Sequence, residues 1–310
     1  MRSLRGVLCV ASLFVFIGTA CAQLTENEKT AVMLGYNYFS RPNITYKVAN
    51  NYQAKLDVYT PRAARMAPVP VVVNIHGGGW VAGSKETDFL STLPYLQMGF
   101  AVVNVEYRMG QVSLAPAAVE DCLCALHWVG RHAKEYGFDV TKVIVTGGSA
   151  GGHLALTTSI IPPTAGFENE CAYEDDPTWQ GKFVDNRPKV AAVINWFGIS
   201  DVNDILQGPN IKGYAVSWLG GQPNREDIAK RVSPITYVRP GLPPVLTIHG
   251  DNDKLVPHQQ SVKLHEMLTK AGVKNQLFTV TGGGHGGFTL DQQMAAFETI
   301  KKFLTETGIK

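Results

Sequence analysis

From about residue 40 onward, short runs of aliphatic and β-branched residues alternate with longer stretches in which apolar positions return every three or four residues. The first pattern has the two-residue period of a strand and the second the period of a helix. Their regular alternation predicts α/β architecture, a mainly parallel sheet flanked by helices. Strands are expected over residues 44–49, 54–59, 69–75, 100–106, 142–146, 190–196, 245–249 and 276–281, and helices over 86–98, 117–136, 150–160, 258–271 and 292–306. Asn50-Asn51 between the first two strands is a turn signal, so the sheet should open with an antiparallel pair. No internal repeat or low-complexity linker divides the pattern, and eight strands with helical crossovers fit one doubly wound sheet. Two stretches break the rhythm, 162–188 and 201–240, both rich in Gly, Pro, Asn and Trp. Loops of that length in a compact domain are functional covers or disordered, and Trp196, Phe197, Trp218 and Leu219 favour a cover for the second.

Composition changes this picture mainly at the N terminus. With 45% hydrophobic and 17% charged positions over 310 residues there is ample material for one core. Residues 1–22 combine Arg2 and Arg5, an apolar stretch from Gly6 to Ile17, and small residues at Ala20 and Ala22. That is the layout of a signal peptide cut after Ala22, which predicts a secreted or periplasmic protein with a single catalytic domain over 23–310. An uncleaved anchor and a lipid on Cys21 are the competing readings. Arg2 and Arg5 account for the whole formal charge of +2, so nucleic acid is not an expected partner, and no transmembrane span is expected in the mature chain. Three cysteines remain. Cys122 and Cys124 sit two apart on one predicted helix and point to different faces, so either could pair with Cys171, or all three could be small buried thiols.

The chemistry-bearing residues fall at the carboxyl ends of predicted strands. Gly147-Gly148-Ser149-Ala150-Gly151 is a G-x-S-x-G sequence between a strand and the helix that opens at Ala150. A nucleophile on such a turn has a strained backbone, so the residues two away on each side must be small, as Gly147 and Gly151 are. Ser149 is therefore the candidate nucleophile. A serine hydroxyl needs a base, and the base needs an orienting acid. His249-Gly250-Asp251-Asn252-Asp253 follows one strand, and Gly282-Gly283-Gly284-His285-Gly286-Gly287 follows the last. His285 is the candidate base. Asp253 is preferred over Asp251 as acid because Asp251, nearer the strand end, suits the turn amides, and Asp201 is a third choice. His76-Gly77-Gly78-Gly79-Trp80 follows the strand 69–75, and the amides of Gly78, Gly79 and Ala150 are candidate donors to an oxyanion. Trp80, Tyr107, Trp196 and Trp218 are candidate substrate-binding residues, with lid packing or core as the plainer role for each.

Rival motifs fit less well. Gly77-x-Gly79-x-x-Ala82 matches a dinucleotide fingerprint, but its helix would have to start among the glycines, whereas Ser84 is the first natural cap. The Ser84-Lys85 order is transposed relative to a phosphate loop, and Asp251-x-Asp253 lacks the remaining ligands of a calcium loop. Neither a cofactor nor a metal is expected.

HGGGW at 76–80, GGSAGGHLAL at 147–156, HGDNDKLVP at 249–257 and GGGHGG at 282–287 together resemble the α/β-hydrolase esterases of the bacterial feruloyl esterase and acetyl xylan esterase group. The likeness runs from about Asn43 to the C terminus. It implies an α/β-hydrolase fold with a lid-like insertion and Ser149, Asp253 and His285 as a triad. It also implies hydrolysis, without cofactor, of feruloyl, acetyl or other small esters, including oligosaccharide esters of plant cell-wall material. The same motifs are similar to those of kynurenine formamidases and hormone-sensitive-lipase-like carboxylesterases, so an amide hydrolase, a general short-chain esterase and a non-catalytic module on this fold stand as alternatives.

Overall fold

The computed structural model describes residues 25–169, 171 and 187–310, and the expected signal peptide lies outside them. The chain divides into two compact units, one reaching to Tyr36 and the other running from Asn37 to Lys310. The first carries helix α1 (Glu26–Asn37), which buries no side chain. Its start is closed reciprocally, the Glu28 amide donating to Thr25 Oγ1 at 3.3 Å and the Thr25 amide to Glu28 Oε2 at 2.7 Å.

In the second unit, β1 (Tyr38–Ala49) and β2 (Tyr52–Pro61) form a hairpin. Asn50 and Asn51 turn it with φ of 49° and 65°, a left-handed pair that matches the twist of the flanking strands. There follow β3 (Val69–Ile75), α2 (Leu93–Gln97), β4 (Ala101–Val105), α3 (Ala117–Arg131), α4 (Ala133–Tyr136), β5 (Phe138–Gly148) and α5 (Ala150–Ile160). The remainder is β6 (Val190–Trp196), α6 (Gly213–Leu219), α7 (Arg225–Val232), β7 (Val245–Gly250), α8 (Gln259–Lys270), β8 (Asn275–Val280) and α9 (Leu290–Glu306). The eight strands lie in the order β1-β2-β4-β3-β5-β6-β7-β8. β2 runs antiparallel to both neighbours, and every pair from β4 to β8 is parallel. Val71–Val73 and Val143–Val145 are wholly buried in the middle of the sheet, as unbroken apolar runs must be when helices cover both faces.

Two predicted helices differ. Over 86–98 only Leu93–Gln97 is α-helical. Upstream, the Thr87 hydroxyl donates to the Ser84 carbonyl at 2.8 Å and that of Ser91 to the Asp88 carbonyl at 2.7 Å, local bonds that compete with a helical ladder. The helix predicted over 117–136 breaks at His132, just after Gly130, and restarts as α4. The segment 201–240 forms α6, α7 and short 3₁₀ turns. Of 162–188, residues 170 and 172–186 lie outside the described residues. What is described is bolted to α3, through a Cys124–Cys171 disulfide and through buried Glu168, which pairs with His127 at 3.1 Å and with Arg187. Cys122 is a free, buried thiol.

Candidate active site

Ser149 ends β5 and opens α5 with φ of 58° and ψ of −120°, a conformation an L-residue holds only under external constraint. The constraint is close packing against β3. A Cβ on Gly147 would lie 2.4 Å from the Ile75 carbonyl oxygen, and one on Gly151 would lie 2.0 Å from the same atom. The Ser149 amide donates to the Trp196 carbonyl at 2.8 Å and its carbonyl accepts from the His153 amide at 3.0 Å, so the turn is held from β6 and from its own helix.

The glycine loop leaves β3 directly beside this turn. A Cβ on Gly77 would lie 3.6 Å from Ser149 Cβ. Gly78, Gly79 and Trp80 follow with φ of 110°, 61° and 61°. The loop carbonyls are fixed: that of Gly78 accepts from the Val81 and Ala82 amides at 3.1 and 2.9 Å, and that of Trp80 from the Gly110 amide at 2.8 Å. Tyr107 donates its hydroxyl to the His76 carbonyl at 3.1 Å and stacks on the His76 ring. His76 Nε2 lies 3.4 Å from Glu106 Oε1 without forming a hydrogen bond.

Three of the four aromatic candidates depart from the expectation that they line a pocket. Trp80, Tyr107 and Trp218 are 0% exposed. Trp80 stacks on Trp218 with centroids 4.2 Å apart and donates from Nε1 to His153 Nδ1 at 3.1 Å, so they pack behind the loop. Their large apolar faces are worth more inside this layer than at a wet rim. Trp196 is half-buried and packs on Phe297 of α9. The ring that meets the candidate base is its neighbour Phe197, whose centroid lies 4.7 Å from that of His285. Phe197 also comes within 3.4 Å of where a Cβ on Gly148 would stand, so one side chain bridges the serine turn and the histidine loop.

The acid candidates separate by partner. Asp253 Oδ2 meets His285 Nδ1 at 2.6 Å. Asp251 Oδ1 accepts from the Gly282 amide at 2.7 Å, and Asp201 pairs with Lys263 at 2.8 Å. Burial of Asp253 works against its charge, but hydrogen bonds from His249, His285 and the Val256 amide outweigh it and hold the carboxyl well below the usual carboxylate range. The Asp253 side chain is wholly buried, and that of His285 is 15% exposed and stands toward solvent.

Three supporting residues were not singled out from sequence. His153 is buried, its Nε2 donating to the Val232 carbonyl at 2.7 Å, and burial pushes it down to about 4, so it is a neutral acceptor for Trp80. Tyr214 of α6 lies directly on Gly79, whose Cβ would fall 2.8 Å from its own, and donates its hydroxyl to the Leu255 carbonyl at 3.1 Å. His249 lies behind Asp253, with Nε2 3.1 Å from Asp253 Oδ2. Among the described residues no three His, Cys, Asp or Glu side chains converge as a metal site, and no helix is long and apolar enough to cross a membrane.

Residues 56–268 match the BD-FAE family. Among solved structures, the chain is similar to Thermogutta terrifontis esterase 2 phosphoramylated by tabun, at 27% identity and a TM-score of 0.70 over 87% of this chain and 95% of that one. It is similar also to a truncated form of a carbohydrate esterase from gut microbiota, at 30% identity and a TM-score of 0.69 over 88% of this chain and 97% of that one. The open, mostly parallel eight-stranded sheet with flanking helices is the α/β-hydrolase fold of these esterases. In sequence the chain is 30% identical over 245 residues to the probable carboxylic ester hydrolase LipM of Mycobacterium tuberculosis, covering 76% of this chain and 54% of that protein. It is 26% identical over 262 residues to esterase LipQ of the same organism, covering 80% and 58%. The chain thus spans somewhat more than half the length of these two relatives.

Proposed function

Because the chain belongs to the BD-FAE family, we propose that it is a serine carboxylic-ester hydrolase in which Ser149, His285 and Asp253 carry the chemistry. The observation that carries this reading is the 2.6 Å contact of Asp253 with His285 Nδ1, on a histidine loop that Phe197 joins to the strained Ser149 turn. With Nδ1 committed to the carboxylate, Nε2 is the end of the imidazole left to take the Ser149 proton. The serine oxygen adds to the ester carbonyl, and the amides of Gly78, Gly79 and Ala150 receive the oxyanion. Collapse expels the alcohol with the proton from His285, leaving an acyl-serine, and water repeats the sequence to release the acid. Ser149→Ala is expected to lower kcat on p-nitrophenyl acetate by about 10⁴-fold or more, and near-normal turnover by the folded variant overturns the assignment.

The substrate class follows from the resemblance in the motifs and from likeness to a carbohydrate esterase over nearly the whole chain. Acetyl or feruloyl esters of plant oligosaccharides are the proposed substrates. A panel varying acyl group and alcohol separately, read as kcat/KM, tests this. Turnover of simple p-nitrophenyl esters with none of acetylated xylo-oligosaccharide or methyl ferulate would instead indicate a general short-chain esterase. We further propose export, supported by the leader-like residues 1–22 and by a Cys124–Cys171 disulfide, which suits an oxidising compartment. N-terminal sequencing of protein recovered outside the cytoplasm should begin at Gln23.

A further inference from the structure

The candidate acid carries a second imidazole that the mechanism above does not use. His249, near the end of β7, is 0% exposed. Its Nε2 faces two acceptors, Asp253 Oδ2 at 3.1 Å and the Val256 carbonyl at 3.1 Å, so that nitrogen carries the proton. Its Nδ1 stands 2.7 Å from the hydroxyl of Ser261 in α8, which then acts as donor and fixes the tautomer. Asp253 Oδ2 therefore receives His285 on one side and His249 on the other, while Oδ1 takes the Leu255 and Val256 amides at 2.8 and 2.9 Å. Four donors fill the carboxylate, and its plane cannot rotate without breaking two or more of them.

We propose that His249, locked by Ser261, is a positioning residue: it holds the Asp253 carboxylate in the plane that aligns His285 and disperses part of its charge. The proposal rests on the assignment of Ser149, His285 and Asp253 given above. The other ionisable groups around this cluster are His258, whose ring lies 5.3 Å from that of His249, Asp251 and Lys254 in the same turn, Lys212, which donates to the Lys254 carbonyl at 2.9 Å, and Tyr214 from α6. Their polar contacts lie elsewhere: His258 bonds Thr279, Asp251 the Gly282 amide, Lys212 the Lys254 carbonyl and Tyr214 the Leu255 carbonyl.

Losing the His249 donor leaves the carboxylate charge less dispersed and its plane free. A less-satisfied carboxylate favours the imidazolium form of His285, so the acid limb of the pH–kcat profile should move to higher pH. His249→Leu is expected to lower kcat about 10- to 100-fold, in line with loss of a hydrogen bond to a charged group. It should also shift the acid limb upward and move the NMR titration of the His285 imidazole in the same direction. His249→Gln, whose amide N–H can replace Nε2–H, should recover most of both. Ser261→Ala, which keeps the donor but frees the tautomer, should show the same shifts at smaller size.

The proposal is overturned if His249→Leu leaves the acid limb and the His285 titration in place, or if His249→Gln is as impaired as His249→Leu. Should His249→Leu fail to fold, a Ser261→Ala protein indistinguishable from the unaltered enzyme in both readouts overturns it, and a shifted one supports it. The NMR titration needs no turnover, so a Ser149→Ala result that removes the esterase reading is told apart from a failure of this one.

Discussion

Two buried carboxylates, Asp121 in α3 and Asp253 at the site, are equally starved of solvent and saturated with donors, yet their partners differ in kind. Asp121 is met by two permanent cations, Arg108 at 2.8 Å through Nη2 and at 2.8 and 3.0 Å through Nε, and Lys47 at 3.0 Å, besides the Arg108 amide at 2.9 Å. Asp253 is met by two imidazoles and two backbone amides, with no lysine or arginine among its hydrogen-bond partners in the described residues. A carboxylate already neutralised by fixed cations has little to offer a charge that appears and disappears. One held by dipoles and hydrogen bonds keeps its negative potential for an imidazolium that forms during reaction. The first arrangement ties β1, the segment after β4 and α3 together, and the second is a site.

Removing each charge should therefore break different properties. Asp253→Asn is expected to lower kcat by about 10⁴-fold, because an amide permits the wrong orientation of His285 and cannot balance its charge. Its thermal midpoint should change far less than its activity. Asp121→Ala takes from buried Arg108 and Lys47 the carboxylate that both meet, with Glu120 still 3.4 Å from Arg108, and should destabilise the fold by about 3 kcal/mol, read by denaturant unfolding. The protein that remains folded should keep its kcat. Equal losses of activity in both variants would erase the distinction.

Histidines sharpen the same contrast. His153 has Trp80 Nε1 and the Val232 carbonyl as ring partners and no carboxylate, and burial holds it down to about 4. Between pH 6.5 and about 4 the unfolded chain binds a proton there that the folded chain does not, so stability falls as pH falls through that window, by about 3 kcal/mol. Asp253 acts lower on the scale. With its folded value depressed, its contribution is complete above the ordinary carboxylate value near 4 and is lost only below it. Thermal midpoints of His153→Gln followed from pH 7 down to pH 3 should lose the upper part of the slope and keep the part below pH 4.

How much of this was legible in the sequence follows from the range of each interaction. The Ser149 turn, the glycine loop after β3 and the preference for Asp253 over Asp251 are local, since each depends on small residues or turn amides within a few positions. The mainly parallel sheet and its antiparallel opening pair were legible for the same reason, through apolar runs and Asn50-Asn51, whereas the exchange of β3 and β4 in the strand order carries no local signal. The fate of Trp80 was not, because it is decided by His153, 73 residues away, and by Trp218 of α6, whose packing has no periodic signature. The choice of Cys124 as partner of Cys171 depends likewise on which face of α3 Glu168 and Cys171 meet. His249 does carry a signal, a histidine at a strand end four residues before the acid, with a serine in the first turn of α8.

Tyr214 allows the smallest and most selective perturbation of the site carboxylate. Its hydroxyl holds the Leu255 carbonyl at 3.1 Å, and the amide of the same residue donates to Asp253 Oδ1 at 2.8 Å. Helix α6 thus steadies the acid's cradle at one remove while the Tyr214 ring rests on Gly79. Tyr214→Phe removes one hydrogen bond and keeps the ring, so a cost of about 1 kcal/mol is expected, a several-fold fall in kcat with KM nearly constant. Tyr214→Ala also uncovers Gly79 and should lower kcat further, by freeing the oxyanion loop. If the two variants lose the same several-fold, the tyrosine acts through the acid turn alone; if Tyr214→Phe is silent and Tyr214→Ala is not, the ring on Gly79 carries the effect and the link to Asp253 fails.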